Sequence, residues 1–600
     1  MNLMQPIVIT DLHQDDVFLY EVKYDGFRAV VHWTEKEIKI ISRNNKELTE
    51  NFPEIIQYCE SIQSQVKSFL PMQLDGELVV LNNKFQANFA LIQKRGRLKT
   101  KEKIAEIAKE RPATFIVFDL LQIEGKELTE RPLLERKEQL HKLFAKINQE
   151  TDKLQMINIL NDFETISKLV FDYKAEGIVA KRKAATYSQG KNHHDWLKWK
   201  NWRTIQVFLT EFYPKNDYFT AAVYEKETII PIGKCKHGLD DEEYESLKQI
   251  FMTNGEKNGQ NYTLPPAICT KIHTLDLHTH ELREPEFAQL APELSPAKCT
   301  VEKLQLDLAM LPDVGLSNED KLFWPQIGLT KGDLLTFMRD IYPYMIPYLS
   351  KRALTVIRCP DGIAEESFFQ KNLPSYAPDF VEFIETEDKR IQLCNNLSAL
   401  IWYANHSAIE YHIPFQPIDS SEPTEIVFDL DPASREDFLL AIKASLMIKQ
   451  LLNEFELTSF IKTSGNKGLQ IHIPLKAHAM NYEQTAIFTE AIAKTVEKAG
   501  PNLFTTERFK KNRGEKLYID YVQHGKNRTI VAPYSPRKTE EATVATPLYW
   551  EEVKEDLHPT RFTIKNVVER VQTFGCPWLK SYELARNQKL DKVLAFIQTG

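Results

Sequence analysis

Residues 20–28 read YEVKYDGFR, and apolar Tyr20, Val22 and Tyr24 alternate there with charged Glu21, Lys23 and Asp25. At a period of two this puts a lysine and two acids on one face of a β-strand, and Gly26 ends the run. A wetted surface strand satisfies such a face. So does a polar site in which other segments answer the charges, and the rest of the chain decides between the two. A chain of 600 residues is too long for one hydrophobic core, so two or more domains of roughly 100–200 residues are expected.

An apolar share of 42% fits a globular chain. Cys59, Cys235, Cys269, Cys299, Cys359, Cys394 and Cys576 are scattered without a close pair, which argues against a disulfide frame or a zinc site and for a reducing cytoplasm. The N-terminus lacks a leader's basic and apolar regions, and no run of about 18 apolar residues could span a bilayer, so no membrane role is expected. A net charge of -8 disfavours general nucleic-acid binding, but local clusters can override it. QKRGRLKTKEK (93–103) and FKKNRGEK (509–516) are candidate phosphate contacts or, equally, solvated faces.

A multidomain α+β chain is expected. To about residue 200, short β-branched runs such as QLDGELVVL and TFIVFDLLQI alternate with helical stretches. Residues 201–287 carry TIQVFLTEFY, YFTAAVYE and TIIPIGKCK before a short helix, which suits a small barrel. EFAQLAPELSPAKCT has two prolines and little periodicity, so a linker is expected at 288–305. From 306 to 600, strands such as IVFDLDP and KLYIDYV lie among long helices, which indicates a second α/β domain.

Five further segments fit one nucleotide site around Lys23. SRNNKELT supplies Arg43, LDGELVV Glu77, FIVFDLL Phe118 beside Asp119, and EGIVAKR Glu176; WLKWK adds Lys198 and Lys200 on one strand face. Each alone also suits a solvated or core residue. Together and in this order, over about residues 15–287, they resemble the nucleotidyltransferase superfamily of ATP-dependent DNA ligases and capping enzymes. The resemblance implies an adenylation domain followed by an OB-fold barrel, with Lys23 attacking the α-phosphate of ATP to form a lysyl-adenylate. That step needs a neutral amine, whereas Glu21 and Asp25 favour the ammonium. A divalent metal on Glu77 and Glu176, with Lys198 and Lys200, is the expected counterweight. Glu21 belongs to the nucleotide site, Arg28 and Arg43 would contact nucleotide or nick phosphates, and Phe118 would stack on adenine. ATP is preferred to NAD because 22 residues precede Lys23 and a zinc-type cysteine quartet is missing. Ligase barrels commonly close on a motif ending in Asp-Lys, whereas LREPEF offers Arg283 there, which leaves the orientation of pyrophosphate open. A GTP-using capping-type or RNA-joining enzyme is the alternative.

In EIVFDLDPAS, Asp429 and Asp431 project from one strand face about 6–7 Å apart at the Cα, from a rise of ~3.3 Å per residue. Aspartate is disfavoured inside strands. Two such charges, with Asp520 of KLYIDYV, are best tolerated around a cation, although a turn at a strand end also suits the pair. KTSGNKGLQIHIPL offers a glycine turn that could cradle a triphosphate with Ser464 and Lys467. SNEDKLFWPQIGLTKGDLL, IRCPDG, SFFQK, FDLDP, KTSGNKG, IDYV and VAPYSPR together resemble the primase-type polymerase domain of bacterial DNA ligase D over about residues 306–600. The resemblance implies two-metal nucleotidyl transfer at Asp429, Asp431 and Asp520, triphosphate contacts from Ser464, Lys467 and Arg537, and base stacking by Phe368 or Phe369. Lys321 and Lys331 match the positions that hold a 5'-phosphate. Where relatives usually carry a triphosphate-contacting histidine this chain has Gln470, so His472, on the same face, is expected to take over part of that contact, with Gln470 supplying an uncharged hydrogen bond to the nucleotide.

A ligase followed by a polymerase implies end-joining repair of bacterial DNA double-strand breaks, using ATP, nucleoside triphosphates and Mg or Mn on double-stranded ends, nicks and gaps. The Ku end-binding protein is the implied partner, and a nucleoid-associated cytoplasmic location is implied. An inactive end-binding scaffold is the alternative from another class.

Overall fold

The computed structural model describes residues 2–147, 152–191, 193–278, 281–579, 582 and 585–599. The chain divides into two compact units, one ending at Met310 and the other starting at Leu311. Among the described residues no helix is long and apolar enough to cross a membrane.

Two sheets build the N-terminal part of the first unit. One has the order Ile38–Ser42, Phe27–Trp33, Met72–Val79, Thr114–Ile123, Lys126–Glu127, with Leu154–Met156 pairing in parallel with Thr114–Ile123. The other runs Ile7–Val8, Trp196–Lys200, Gly177–Arg182, Phe18–Lys23, Ile159–Leu160. Strand alternation sorts side chains between core and cavity. Ala29, Val31 and Trp33 enter a core with Ile55, Cys59 and Ile62 of the helix Pro53–Val66. Arg28 and Val30 take the opposite face, near Phe118 and Trp196. In Phe18–Lys23, Tyr20 and Val22 pack with Ile166, Val170 and Ile178, which leaves Glu21 and Lys23 to the other face. At Gly26 the chain passes so close to the Leu78 carbonyl that a Cβ would stand 2.1 Å from its oxygen, which is why glycine ends the motif.

The expected barrel is built from Thr228–Cys235, Tyr218–Glu225, Arg203–Tyr213, Asn261–Thr274 and Glu286–Leu290, paired in that order. A bridge between His237 and Glu286 joins its two edges, with the Phe287 amide donating to the His237 carbonyl at 2.6 Å. The expected linker at 288–305 is corrected. Its first residues end a barrel strand, Pro296 opens the short 3-10 helix Pro296–Lys298, and the helix Val301–Ala309 packs on Arg203–Tyr213. Cys299 and Leu304 are core residues beside Val207, Phe219 and Phe287. The prolines therefore punctuate short elements of a packed segment, and the boundary falls after Met310 rather than at 306.

The second unit centres on a six-stranded sheet in the order Phe504–Thr505, Leu517–Asp520, Glu425–Asp431, Leu469–Pro474, Phe460–Thr463, Pro547–Leu548. Helices Phe438–Glu454 and Tyr482–Ala499 pack against it. A second sheet runs Phe368–Gln370, Thr355–Arg358, Ala408–Pro414, Thr529–Val531.

Leu304→Ala should lower the stability of the first unit by about 2–4 kcal/mol, the cost of emptying a packed core site. Calorimetric melting checks this, and an unchanged transition would return the segment to the status of a linker.

Candidate active sites

A cavity of about 580 Å³ opens in the first unit, and Glu21, Lys23, Arg28, Arg43, Glu77, Phe118 and Lys198 all line it. Lys23 Nζ donates to Glu176 Oε1. Burial alone would lower the Lys23 pKa, but the Glu176 carboxylate, helped by Asp25 and Glu77, outweighs it and raises it above the ordinary value. The lysine therefore rests as an ammonium. Burial pushes the Glu77 carboxyl up to about 8. Glu176 Oε2 is buried without a hydrogen-bond partner, so two largely buried carboxylates, one with an unanswered oxygen, fit a divalent cation here.

The acids flanking Lys23 are answered by side chains. Glu21 is ion-paired to Lys181 at 2.6 Å and to Lys137, all three fully buried. Asp25 pairs with Arg283, the residue standing where an Asp-Lys was expected. Neither acid therefore waits for a metal or for the WLKWK lysines. Lys200 in particular is corrected: it is turned to Glu284 at 3.0 Å and Glu286 at 3.3 Å, and only Lys198 of that pair lines the cavity. Burial, with the charges of Lys23 and Lys200, lowers the Lys198 pKa. Arg28 is held by Asp75 at 2.8 and 3.1 Å, with its guanidinium 5.2 Å from the Phe118 ring centroid. Phe118 meets Trp196 edge-on at 6.1 Å, and the Lys181 ammonium lies 4.3 and 4.1 Å from the two ring centroids. Of the basic cluster at 93–103, Arg95 is a structural residue, buried on Glu54 at 2.9 Å, whereas Gln93 and Arg97 reach the cavity.

Lys181 was legible in principle. It shares its strand face with Val179, which pairs with Glu21, so period two points it into the site. Lys137 had a fainter signal: it occupies the buried stripe of Leu133, Arg136 and Leu140 on the helix Leu133–Lys146, where a cation demands a buried acid.

In the second unit one rung crosses four strands, pairing Lys462 with Gln470, Gln470 with Asp429, and Asp429 with Asp520. Burial, with the charges of Asp431 and Asp520, raises the Asp429 carboxyl to about 6. Gln470 donates to it at 3.1 Å. Asp520 accepts from Tyr518 Oη at 3.1 Å and the Gln523 amide at 2.8 Å, while Asp431 is paired with Lys467 at 2.9 Å and lies 3.6 Å from Arg513. Among the described residues no three His, Cys, Asp or Glu side chains already stand as a metal-holding group. The mutual repulsion at Asp429 nevertheless fits a cation there. The turn after Thr463 forms as expected, with Gly465 at φ +70° and a Cβ there excluded by Arg537 and the Ala545 amide. Ser464 Oγ accepts from the Gly468 amide at 3.0 Å, and Arg537 Nη1 donates to the Ser464 carbonyl at 2.7 Å.

His472 is corrected. It shares the face of Gln470 but sits one rung deeper, opposite Val427, and is buried with Nδ1 2.8 Å from Glu425 and its ring 4.9 Å from Trp578. Glu425 also accepts from Tyr582 Oη at 2.6 Å. A histidine closed in this way packs the fold and cannot reach a triphosphate. Phe368 and Phe369 are exposed rather than core, at 42% and 70%. Lys321 is partly exposed beside Asp361, and the Lys331 amide donates to the Lys321 carbonyl at 2.8 Å. The Lys331 ammonium, however, turns inward to the Ser317 carbonyl.

Two family models match this chain, the ATP dependent DNA ligase domain over residues 5–200 and the LigD primase-polymerase domain over 330–578. The bifunctional non-homologous end joining protein LigD of Bacillus subtilis is 39% identical, and the match covers 98% of each chain. The multifunctional LigD of Pseudomonas aeruginosa is 23% identical over 93% of this chain and 70% of its own. That of Mycolicibacterium smegmatis is 32% identical over 44% of this chain and 35% of its own.

His472→Ala should cost the second unit about 2–3 kcal/mol through its lost hydrogen bond and packing, and leave the KM for incoming nucleotide within about twofold. A tenfold rise in KM at unchanged stability would put the ring at the nucleotide after all.

Proposed function

This chain belongs to the LigD family, sharing 39% identity with the B. subtilis protein over nearly its whole length, and from that premise we propose how its residues divide the work. It is a bifunctional end-joining repair enzyme, with an ATP-dependent DNA ligase followed by a primase-type polymerase. Lys23 is the ligase nucleophile. Its Nζ forms the bond to the α-phosphorus of ATP as pyrophosphate leaves, then the adenylate passes to the 5'-phosphate of a nick. The observation that carries this is the placement of Lys23 on the cavity wall against Glu176, with both neighbouring acids already paired. The Glu176 carboxylate is within reach to take the lysine's proton. Phe118 offers an aromatic face for adenine, and Arg43 and Lys198 supply cations for phosphates.

Asp429, Asp431 and Asp520 serve nucleotide addition, with Lys467 and Arg537 as triphosphate contacts and Phe368 or Phe369 as a stacking surface; their grouping on adjacent strands around one turn supports this. A divalent cation, Mg or Mn, held by Glu77 and Glu176 in one unit and by the three aspartates in the other would stabilise charge on the phosphates. Lys321 and Lys331, joined by a backbone hydrogen bond, take the 5'-phosphate at a break, the Lys331 ammonium exchanging the Ser317 carbonyl for the phosphate. The enzyme works on DNA ends, nicks and gaps in the bacterial cytoplasm with Ku as partner. The modules divide near residue 200 and after Met310.

Lys23→Ala should abolish covalent labelling by radioactive ATP and nick sealing yet leave nucleotide addition intact, because the sites lie in separate compact units. Asp429→Ala should do the reverse. Label persisting in Lys23→Ala would move the nucleophile elsewhere, and loss of both activities in either variant would make the units interdependent. Lys321→Ala and Lys331→Ala should weaken binding to gapped DNA with a 5'-phosphate more than to the same DNA without it. Equal weakening would leave them as general backbone contacts.

A further inference from the structure

Lys462 has no exposed surface, which is rare for a lysine, and the assignments above give it no task. It ends the rung that contains Gln470, Asp429 and Asp520, so its side chain shares their face. Its ammonium donates to Gln470 Oε1, and Gln470 Nε2 donates to Asp429 Oδ1 at 3.1 Å. A carboxamide has one accepting end and one donating end, and an ammonium can only donate. The lysine therefore holds the amide oxygen, which commits the amide's N–H groups to the aspartate. Rotated by half a turn, the amide would set its oxygen against the carboxylate and leave two acceptors face to face. The asymmetry of the relay thus originates at Lys462 and ends at one oxygen of Asp429.

We propose that Lys462 is a positioning residue for nucleotide addition, acting through Gln470 to fix Asp429 so that one carboxylate oxygen is occupied and the other is left to a divalent cation. The inference rests on reading Asp429 as a cation-holding carboxylate. Burying a lysine carries a cost: desolvation, with the charge of Arg537, lowers its pKa to about 7, so the donor-only ammonium described above is the form present below that pH. A simple core position would be filled more favourably by an apolar side chain.

The test is Mn²⁺ binding to the full-length protein without nucleotide, followed by electron paramagnetic resonance. Wild type is compared with Lys462→Met, Gln470→Leu, the double variant and Asp429→Ala. Supporting groups behind a metal-holding side chain are each typically worth about tenfold or more in affinity. Lys462→Met and Gln470→Leu should each weaken the Asp429-dependent site about tenfold, and the double variant should be no weaker than either, because the two act in series. Binding within twofold of wild type in Lys462→Met, or losses that multiply in the double variant, would overturn the proposal. If Lys462→Met does not fold, the Gln470→Leu result decides on the same criterion of tenfold against twofold. Should wild type and Asp429→Ala bind Mn²⁺ identically, the reading of Asp429 fails first and takes this inference with it.

Discussion

The buried triad of Lys137, Glu21 and Lys181 is the interaction on which the ligase site depends. A carboxylate taken out of water costs several kcal/mol unless it is paired, and Glu21 sits two residues from Lys23 on the same strand face. By giving Glu21 two lysines of its own, the fold lets a low-dielectric pocket form beside Lys23 without adding negative charge to it. Asp25 is relieved in the same way by Arg283 from the barrel. Glu176, its hydrogen-bond partner, is then the chief group that governs the Lys23 proton, with smaller contributions from Asp25 and Glu77. The triad also shapes the cavity wall, because the Lys181 ammonium lies close to the Phe118 and Trp196 rings, with cation–π attraction adding to the ion pair.

The polymerase unit uses the opposite arrangement. There like charges are left together: Asp429 faces Asp520 across a strand pair, with Asp431 two residues on. The protein offsets them only partly, through Gln470 at Asp429 and Lys467 at Asp431. A ligase pocket with its flanking acids answered and a polymerase rung with its repulsion retained suit their tasks. On the roles proposed above, the first lets an amine lose its proton beside a cation on Glu77 and Glu176, whereas the second draws cations to the repelling carboxylates themselves.

Much of this was readable from period-two alternation alone. It placed Glu21 with Lys23, Asp429 with Asp431, and Gln470 with His472 on shared faces, and each pair holds. Alternation fixes a face but not a depth along it. His472 therefore lies on the predicted side yet one rung too deep, closed off by Trp578 and Glu425, from residues far along the chain. Lys200 departs for a related reason: its face was right, but Glu284, in a bend far along the chain, and Glu286, on the strand that follows it, claim its charge. The segment at 288–305 looked like a spacer because its prolines hid short elements whose apolar residues are buried by the barrel. In each case the missing information was a long-range partner, which local periodicity does not carry.

The titration of the Lys23 amine tests this account most directly, followed by NMR of protein carrying ¹³C-labelled lysine, assigned by a Lys23→Arg variant and recorded with chelator present. Glu176 is predicted to hold the free-enzyme value above the ordinary 10.5, Glu176→Gln to bring it below that value because burial then dominates, and Glu21→Gln to move it little because that charge is already paired. A Lys23 that titrates at or below its ordinary value in the wild type, or that responds to Glu21 as strongly as to Glu176, would contradict it.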